Sequence, residues 1–182
     1  DLRRLDEAKT FIDAGFKISN KAADLWHLRG AYYDTKFEKD KAIENYKECL
    51  ILEPNRAHTL SNLSTSLERV GDFEEAVAAS RKAMSLNPNL LALQHNYAHM
   101  LMRQGQLKEA AIIYEKIIQH EDHPQVSISS YFYNQLFEGT PITDELIKKN
   151  KHFGTKFANR MQPMQLFAQP ANNRPLRVGY LS

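Results

Sequence analysis

The sequence predicts an all-α solenoid made of helix–turn–helix repeats, each 34 residues long. Alanines recur at this interval along most of the chain, at Ala8, Ala42, Ala76 and Ala110. Gly71 and Gly105 are one interval apart, and so are Pro54 and Pro88. Small residues let two helices cross closely, glycine ends the first helix, and proline cannot continue the second. A fixed period with these three features is typical of stacked helical pairs.

The period divides the chain into three full repeats with an incomplete one before them. The full repeats are residues 23–56, 57–90 and 91–124, and residues 1–22 contain the second helix of a truncated repeat. The first full repeat has no glycine in its turn, Thr35 to Asp40, so we expect that turn to be reshaped.

The repeat pattern is expected to end at residue 124. Residues 125–160 keep helical apolar spacing and are predicted to be capping or linking helices that seal the end of the solenoid. Residues 161–175, rich in Gln, Asn and Pro, are predicted to be a linker. Residues 176–182 alternate as a β-strand does, and this orphan strand needs sheet partners downstream.

The composition is ordinary for a soluble, folded protein. The chain has 182 residues, 42% of them hydrophobic and 25% charged, with a net charge of +2. It contains no apolar run of membrane-spanning length and no strong positive field for a nucleic acid, so neither partner is predicted. The single cysteine, Cys49, is predicted to be a buried, inert thiol, and a cytoplasmic location is expected.

The first repeat resembles the tetratricopeptide repeat at most of its diagnostic positions. These positions are Trp26, Gly30, Tyr33, Ala42, Tyr46 and Pro54. Resemblance to this family implies a protein or peptide partner in a concave groove lined by the first helix of each repeat. Self-association through the repeats is also compatible with it.

The segment from Arg174 to Ser182, RPLRVGYLS, resembles a junction in O-linked N-acetylglucosamine transferases and the related Spindly-type proteins. In that family the strand opens a GT-B catalytic region. Residues 144–154 also resemble the family's linking helix. The resemblance implies a parent protein O-glycosyltransferase that uses UDP-GlcNAc or GDP-fucose, with this chain presenting the acceptor polypeptide. The family's catalytic residues follow the position of Ser182, so no catalytic residue or cofactor is assigned here.

The alternative function is a stand-alone tetratricopeptide adaptor or co-chaperone scaffold. Chaperone-tail binders hold a terminal carboxylate with five clamp residues, and only Asn62 fits that pattern here. We therefore expect no appreciable affinity for acidic chaperone tails. The residues encoded after Ser182 would distinguish the adaptor from the transferase.

Asn62 and Asn96 occupy the same place in successive repeats and are the first candidates for peptide contact. An amide offers both a donor and an acceptor to an extended chain. In the O-linked transferases, asparagines at this place form a ladder along the peptide backbone. Leu28 stands there in the first repeat, which leaves two rungs. Polar surface or inter-repeat hydrogen bonding is the alternative for both residues.

Arginines and histidines are further candidates on the same helices. Arg69 and Arg103 are one interval apart and could grip carboxylates, although they also fit solvated helix ends. His95 and His99 lie one turn apart, but no third ligand stands nearby, so they are assigned to groove contact together with His58. No metal site is predicted.

Overall fold

The computed structural model describes residues 2–19, 21–120 and 125–139, together with residues 143–144, 147–148, 151–152 and 155. Residues 1–141 form one compact unit and residues 142–182 a second. In the second unit, the amide of Ile147 donates a helical hydrogen bond of 3.0 Å to the carbonyl of Thr143. The predicted linker, residues 161–175, and strand, residues 176–182, lie outside the described residues.

The described part of the first unit is helical and contains no strand. Its helices are α1 (Leu2–Ile18), α2 (Ala23–Thr35), α3 (Lys39–Leu52), α4 (Ala57–Val70), α5 (Phe73–Leu86), α6 (Leu91–Arg103), α7 (Leu107–Ile118) and α8 (Gln125–Phe137). The predicted all-α repeat fold is confirmed. We call α2, α4, α6 and α8 the A helices, and α3, α5 and α7 the B helices. No helix in this described part is long and apolar enough to cross a membrane.

The A helices begin at intervals of 34 residues, at Ala23, Ala57, Leu91 and Gln125. The fourth of them, α8, therefore keeps the repeat interval, whereas the sequence pattern suggested that the register ends at residue 124. The reason is visible in the small-residue series. Gly30, Ser64 and Ala98 are followed at the same interval by Phe132, so the side chains stop repeating while the backbone does not.

The turns after the A helices share one backbone conformation. Residues with positive φ follow each A helix at the same interval: Phe37 (62°), Gly71 (91°), Gly105 (82°) and Gly139 (74°). The two glycines predicted to end α4 and α6 are confirmed in that role. Phe37 takes the glycine's place in the first turn, so that turn keeps the backbone conformation expected to be lost. A left-handed conformation costs a non-glycine residue about 1–2 kcal/mol.

Small residues sit where the paired helices cross, as predicted. Ala42, Ala76 and Ala110 are completely buried. Gly30 faces the ring of Tyr46 so closely that a Cβ built there would lie 2.6 Å from it. Cys49 is buried too, and burial raises the pKa of its thiol, which keeps it protonated. The predicted inert thiol is thus placed in the core.

The two kinds of helix differ in how they meet along the stack. Each A helix contacts the next A helix, α2 with α4, α4 with α6, and α6 with α8. In the described residues, the backbones of neighbouring B helices do not approach one another in this way, although an ion pair of 2.8 Å between Lys47 Nζ and Glu75 Oε1 joins α3 to α5. In a curved stack of repeats, the helices of successive repeats approach each other most closely on the concave, inner side. The A helices therefore form the inner face of this array, as the sequence predicts for the concave side.

Candidate functional site

Four positions of each A helix form a continuous exposed strip that we call the inner stripe. They are spaced i, i+4, i+7 and i+11, which places them on one helix face. The stripe consists of Asp24, Leu28, Ala31 and Thr35 on α2, His58, Asn62, Thr65 and Arg69 on α4, Ala92, Asn96, His99 and Arg103 on α6, and Val126, Ser130, Tyr133 and Phe137 on α8. All are exposed or half-buried. The stripe brings together every predicted site residue except His95.

Side-chain hydrogen bonds tie α2 to α4 beside the stripe. The Nδ1 atom of His27 lies 2.8 Å from the Oγ1 atom of Thr59, which is fully buried. The hydroxyl of Ser66 donates to Asp34 Oδ1 at 2.7 Å. Burial lowers the pKa of His27, so the imidazole is neutral and able to pair with the hydroxyl.

Asn96 and Arg103 tie α6 to α4. Asn96 Nδ2 donates to Ser61 Oγ at 2.7 Å, and Arg103 Nε donates to Glu68 Oε1 at 2.8 Å. Inter-repeat bonding, one of the two roles considered for Asn96, therefore uses its amide nitrogen. The Oδ1 atom of Asn96 has no hydrogen-bond partner among the described residues and remains available to a ligand.

Asn62 is more exposed than Asn96 and has a different neighbour. It lies beside the hydroxyl of Tyr46, whose pKa is raised by burial while the Asn62 side chain opposes that shift. The two asparagines thus share a position on the stripe but differ in their partners.

The two predicted arginines are also unequal. Arg103 is held by Glu68, and its guanidinium lies 5.7 Å from the centre of the Phe73 ring. Arg69 is exposed and makes no ion pair or hydrogen bond with any residue in the described part of the chain. Arg69 acts on the nearby Asp34 carboxyl through its charge alone, so its guanidinium hydrogen bonds can be made to an anionic ligand.

The three predicted histidines face different surroundings. His58 is exposed at the start of α4. His95 turns away from the stripe, with Nδ1 2.8 Å from Ser127 Oγ on α8 and its ring 5.5 Å from the Tyr114 ring. His99 stays on the stripe, half-buried, and burial lowers its pKa. Within the described residues, no three His, Cys, Asp or Glu side chains are grouped to hold a metal ion.

Three apolar side chains on α8 belong to the stripe and were missed by the sequence analysis. Val126, Tyr133 and Phe137 are 55%, 54% and 61% exposed. The rings of Tyr133 and Phe137 pack edge to face with their centres 4.6 Å apart. Adding 34 to Ala92, His99 and Arg103 gives these three positions, so the repeat interval itself was the signal.

An apolar cavity of about 470 Å³ lies between α1 and α2. Its lining includes Ala8, Phe11, Ile12, Leu25 and Leu28. Ala8 has the register of Ala42, which is covered by the A helix of its own repeat. The cavity adjoins the α2 end of the inner stripe, where Leu28, Ala31 and Thr35 line it, and its lining includes no residue of α4 or α6.

The half-buried His95 predicts a loss of stability in mild acid. Burial, followed by the charge of His99, lowers the pKa of His95 to about 4, below its ordinary value of 6.5. The folded state then binds fewer protons than the unfolded state, so stability is present above pH 6.5 and falls as the pH drops toward 4. We expect a loss of about 1–2 kcal/mol between pH 7.5 and pH 5, allowing for partial solvent exposure.

Denaturant unfolding at several pH values, followed by circular dichroism, measures this loss. His95→Gln should reduce the pH dependence, whereas His58→Gln, on the exposed start of α4, should preserve it. An unchanged pH profile for His95→Gln would refute the assignment. Staying above pH 5 keeps most carboxylates ionised, which isolates the histidines.

A stack of paired helices with a polar strip on its inner face defines a helical-repeat binding protein. Models of the tetratricopeptide repeat match residues 23–56 and 67–127. The chain belongs to the tetratricopeptide-repeat family.

Curated relatives include receptors and an assembly protein. The peroxisomal targeting signal receptor of Saccharomyces cerevisiae is 29% identical over 103 residues, 57% of this chain and 17% of the receptor. The photosystem I assembly protein Ycf3 of Synechococcus sp. is 30% identical over 122 residues, 58% of this chain and 70% of Ycf3. This chain thus spans less than a fifth of the yeast receptor.

Solved structures at low identity share the fold. MamA superposes with a TM-score of 0.73 at 19% identity and covers 88% of both chains. YrrB, described as a tetratricopeptide-repeat protein with an unusual peptide-binding site, has a TM-score of 0.71 at 16% identity, covering 88% of this chain and 86% of YrrB. None of these four proteins is described as a glycosyltransferase, so the transferase resemblance stays a prediction.

Proposed function

We propose that this chain is a peptide-binding adaptor module whose inner stripe holds an extended segment of a partner protein. The observation that carries the proposal is the row of exposed polar side chains with unused hydrogen-bonding groups on α4 and α6. Asn62 is exposed, and the Oδ1 atom of Asn96 has no partner in the described part of the chain. Such groups suit a peptide backbone, which exposes a donor and an acceptor at nearly every residue.

The dimensions of the stack support an extended ligand. Packed helices lie about 8–10 Å apart. An extended chain advances about 3.3 Å per residue. One repeat therefore matches about three residues of peptide, and successive A helices meet every third residue of the ligand.

The comparisons support an adaptor better than an enzyme. The named relatives are a targeting-signal receptor and an assembly protein. YrrB has the same fold and, by its description, a peptide-binding site. A receptor or assembly role for this chain needs only a binding face, which the inner stripe provides.

The ladder positions give the test of this proposal. Asn62→Ala or Asn96→Ala should each raise the Kd for a peptide selected from a random library about three- to tenfold, because one neutral hydrogen bond contributes about 1 kcal/mol. Isothermal titration calorimetry measures the change. Asn89→Ala, which alters an exposed residue in the α5–α6 loop, is the matched control.

Folding must be measured beside binding because Asn96 also bonds to Ser61. We expect a small loss of stability for both variants, because Asn96 bonds to Ser61 and Asn62 is the hydrogen-bonding neighbour of the buried Tyr46 hydroxyl. If the two substitutions together unfold the array while peptide binding survives in the folded fraction, both asparagines are structural and the proposal is wrong.

The junction sequence supports a second candidate function. Arg174 to Ser182 resembles the entry to a glycosyltransferase domain, in which case the same stripe presents acceptor polypeptides for sugar transfer from UDP-GlcNAc or GDP-fucose. Incubating the parent protein with each labelled donor and a serine-rich acceptor separates the candidates. Transfer favours the glycosyltransferase, and peptide binding without transfer favours the adaptor.

A further inference from the structure

We infer that the ligand of the inner stripe carries an acidic side chain and a large apolar side chain about six residues apart. The acidic side chain pairs with Arg69 on α4, and the apolar one packs on Tyr133 and Phe137 on α8. This inference rests on the proposed function and names the class of peptide.

The cationic end of the site is defined by the contrast between two equivalent arginines. Arg103 is neutralised by Glu68 at 2.8 Å, whereas Arg69 is exposed and has no ion-pair partner among the described residues. Arg69 lies near enough to Asp34 to favour the ionised form of that carboxyl, but the hydrogen bonds of Asp34 go to Lys39 and Ser66. A ligand carboxylate would therefore meet an uncommitted guanidinium, which forms strong charge-assisted hydrogen bonds.

The apolar end of the site is defined by α8. Tyr133 and Phe137 are more than half exposed, although their rings already pack against each other. Phe137 also borders a shallow cavity of about 380 Å³ whose lining includes the charged residues Lys108, Glu109 and Glu138 beside Leu107. The exposed aromatic pair itself therefore offers the apolar surface on which a large side chain of the ligand can pack.

The middle of the site, on α6, holds Arg103 at the same level as Arg69 and Phe137, with its charge compensated by Glu68. His99 lies one turn away, and burial lowers its pKa. These polar groups can hydrogen-bond to the peptide backbone and to small polar side chains that lie between the two anchors.

The spacing follows from the position of the anchors. α4 and α8 are two steps apart in the row of A helices, roughly 16–20 Å at ordinary packing distances. At about 3.3 Å per residue, an extended peptide covers this in about five or six residues. The ligand is therefore a segment with Glu or Asp at one end and Phe, Leu or Tyr about six positions away.

Fluorescence anisotropy with labelled twelve-residue peptides tests the class. The probe is a Gly, Ser and Thr peptide with one Glu and one Phe about six positions apart, made in both orders. Control peptides replace Phe by Ala, replace Glu by Gln, or place the two anchors side by side. We expect one order to bind at least about tenfold more tightly than every control, since each anchor contributes about tenfold.

Variants of the full chain assign the two anchors. Phe137→Ala should weaken binding of the probe peptide about tenfold and leave the affinity of the control peptide with Ala in place of Phe unchanged. Arg69→Gln should weaken binding of the probe peptide about tenfold and leave the affinity of the control peptide with Gln in place of Glu unchanged. Ile112→Ala, an exposed apolar residue on the B helix α7, is the matched control. Circular dichroism checks that each variant keeps its fold.

The possible failures are distinguishable. If Phe137→Ala and Arg69→Gln leave every Kd within twofold while Asn96→Ala still weakens library-selected peptides, the ligand class is wrong and the proposed function stands. If neither the probe nor any library peptide binds the folded chain, the proposed function is wrong as well.

Discussion

Replacing Tyr46 by alanine is expected to lower the free energy of unfolding by about 3–5 kcal/mol, the usual cost of removing a buried aromatic ring. Tyr46 is 1% exposed on α3 and lies where three helices meet. Its ring covers Gly30 of α2, stands 5.8 Å from the His27 ring, and has Asn62 of α4 beside its hydroxyl. Truncation would leave a cavity that the rigid helices around it cannot fill.

Amide hydrogen exchange distinguishes this effect from general destabilisation. Because each repeat contacts only its neighbours, exchange should rise in α2 and α3 well before it rises in α7. Tyr133→Ala is the matched control, since Tyr133 is 54% exposed and its removal should change stability by less than about 0.5 kcal/mol. A loss below about 1 kcal/mol for Tyr46→Ala would contradict the packing role described for its ring.

Enlarging Ala76 to leucine should cost about 1–3 kcal/mol, because the substitution overpacks the crossing of α4 and α5. Ala76 is completely buried, so the added atoms can enter only by pushing the two helices apart. The free energy of peptide binding should change less than the free energy of unfolding, since Ala76 lies on a B helix away from the inner stripe. Urea unfolding followed by circular dichroism measures the change.

Ala78→Leu provides the control on the same helix. Ala78 is exposed, and leucine and alanine have similar helix propensities, so this variant should remain within about 0.5 kcal/mol of the original chain. Equal stability of the two leucine variants would show that the crossing tolerates a large side chain and that the alanine period has another cause.

The sequence predicted the parts of the fold that depend on local chemistry. The buried alanines and the left-handed glycines at 71 and 105 follow from steric limits that hold wherever two helices cross or a helix ends. Phe37 and α8 were harder because each keeps the repeat's backbone with an unexpected side chain. Phe37 stands in a glycine position, and Phe132 stands in a small-residue position.

The site was predictable in position and less so in detail. The interval placed Asn62 and Asn96 on one stripe, and both are there. It could not show that His95 turns to Ser127 or that Glu68 neutralises Arg103. Those pairings depend on how one helix is rotated against the next. The residue types at these positions do not reveal that rotation.

The backbones of neighbouring A helices approach each other closely, whereas α3 and α5 are joined through long side chains, and this difference gives the stack of helices an asymmetric elasticity. Bending that opens the inner face must stretch bonds such as Asn96 to Ser61, while the outer side is joined by longer, exposed side-chain links such as Lys47 to Glu75. The stiff edge is also the edge that a peptide would line. A ligand spanning several A helices would act as a brace along that edge and raise the force needed to straighten the stack, which a force–extension measurement would detect.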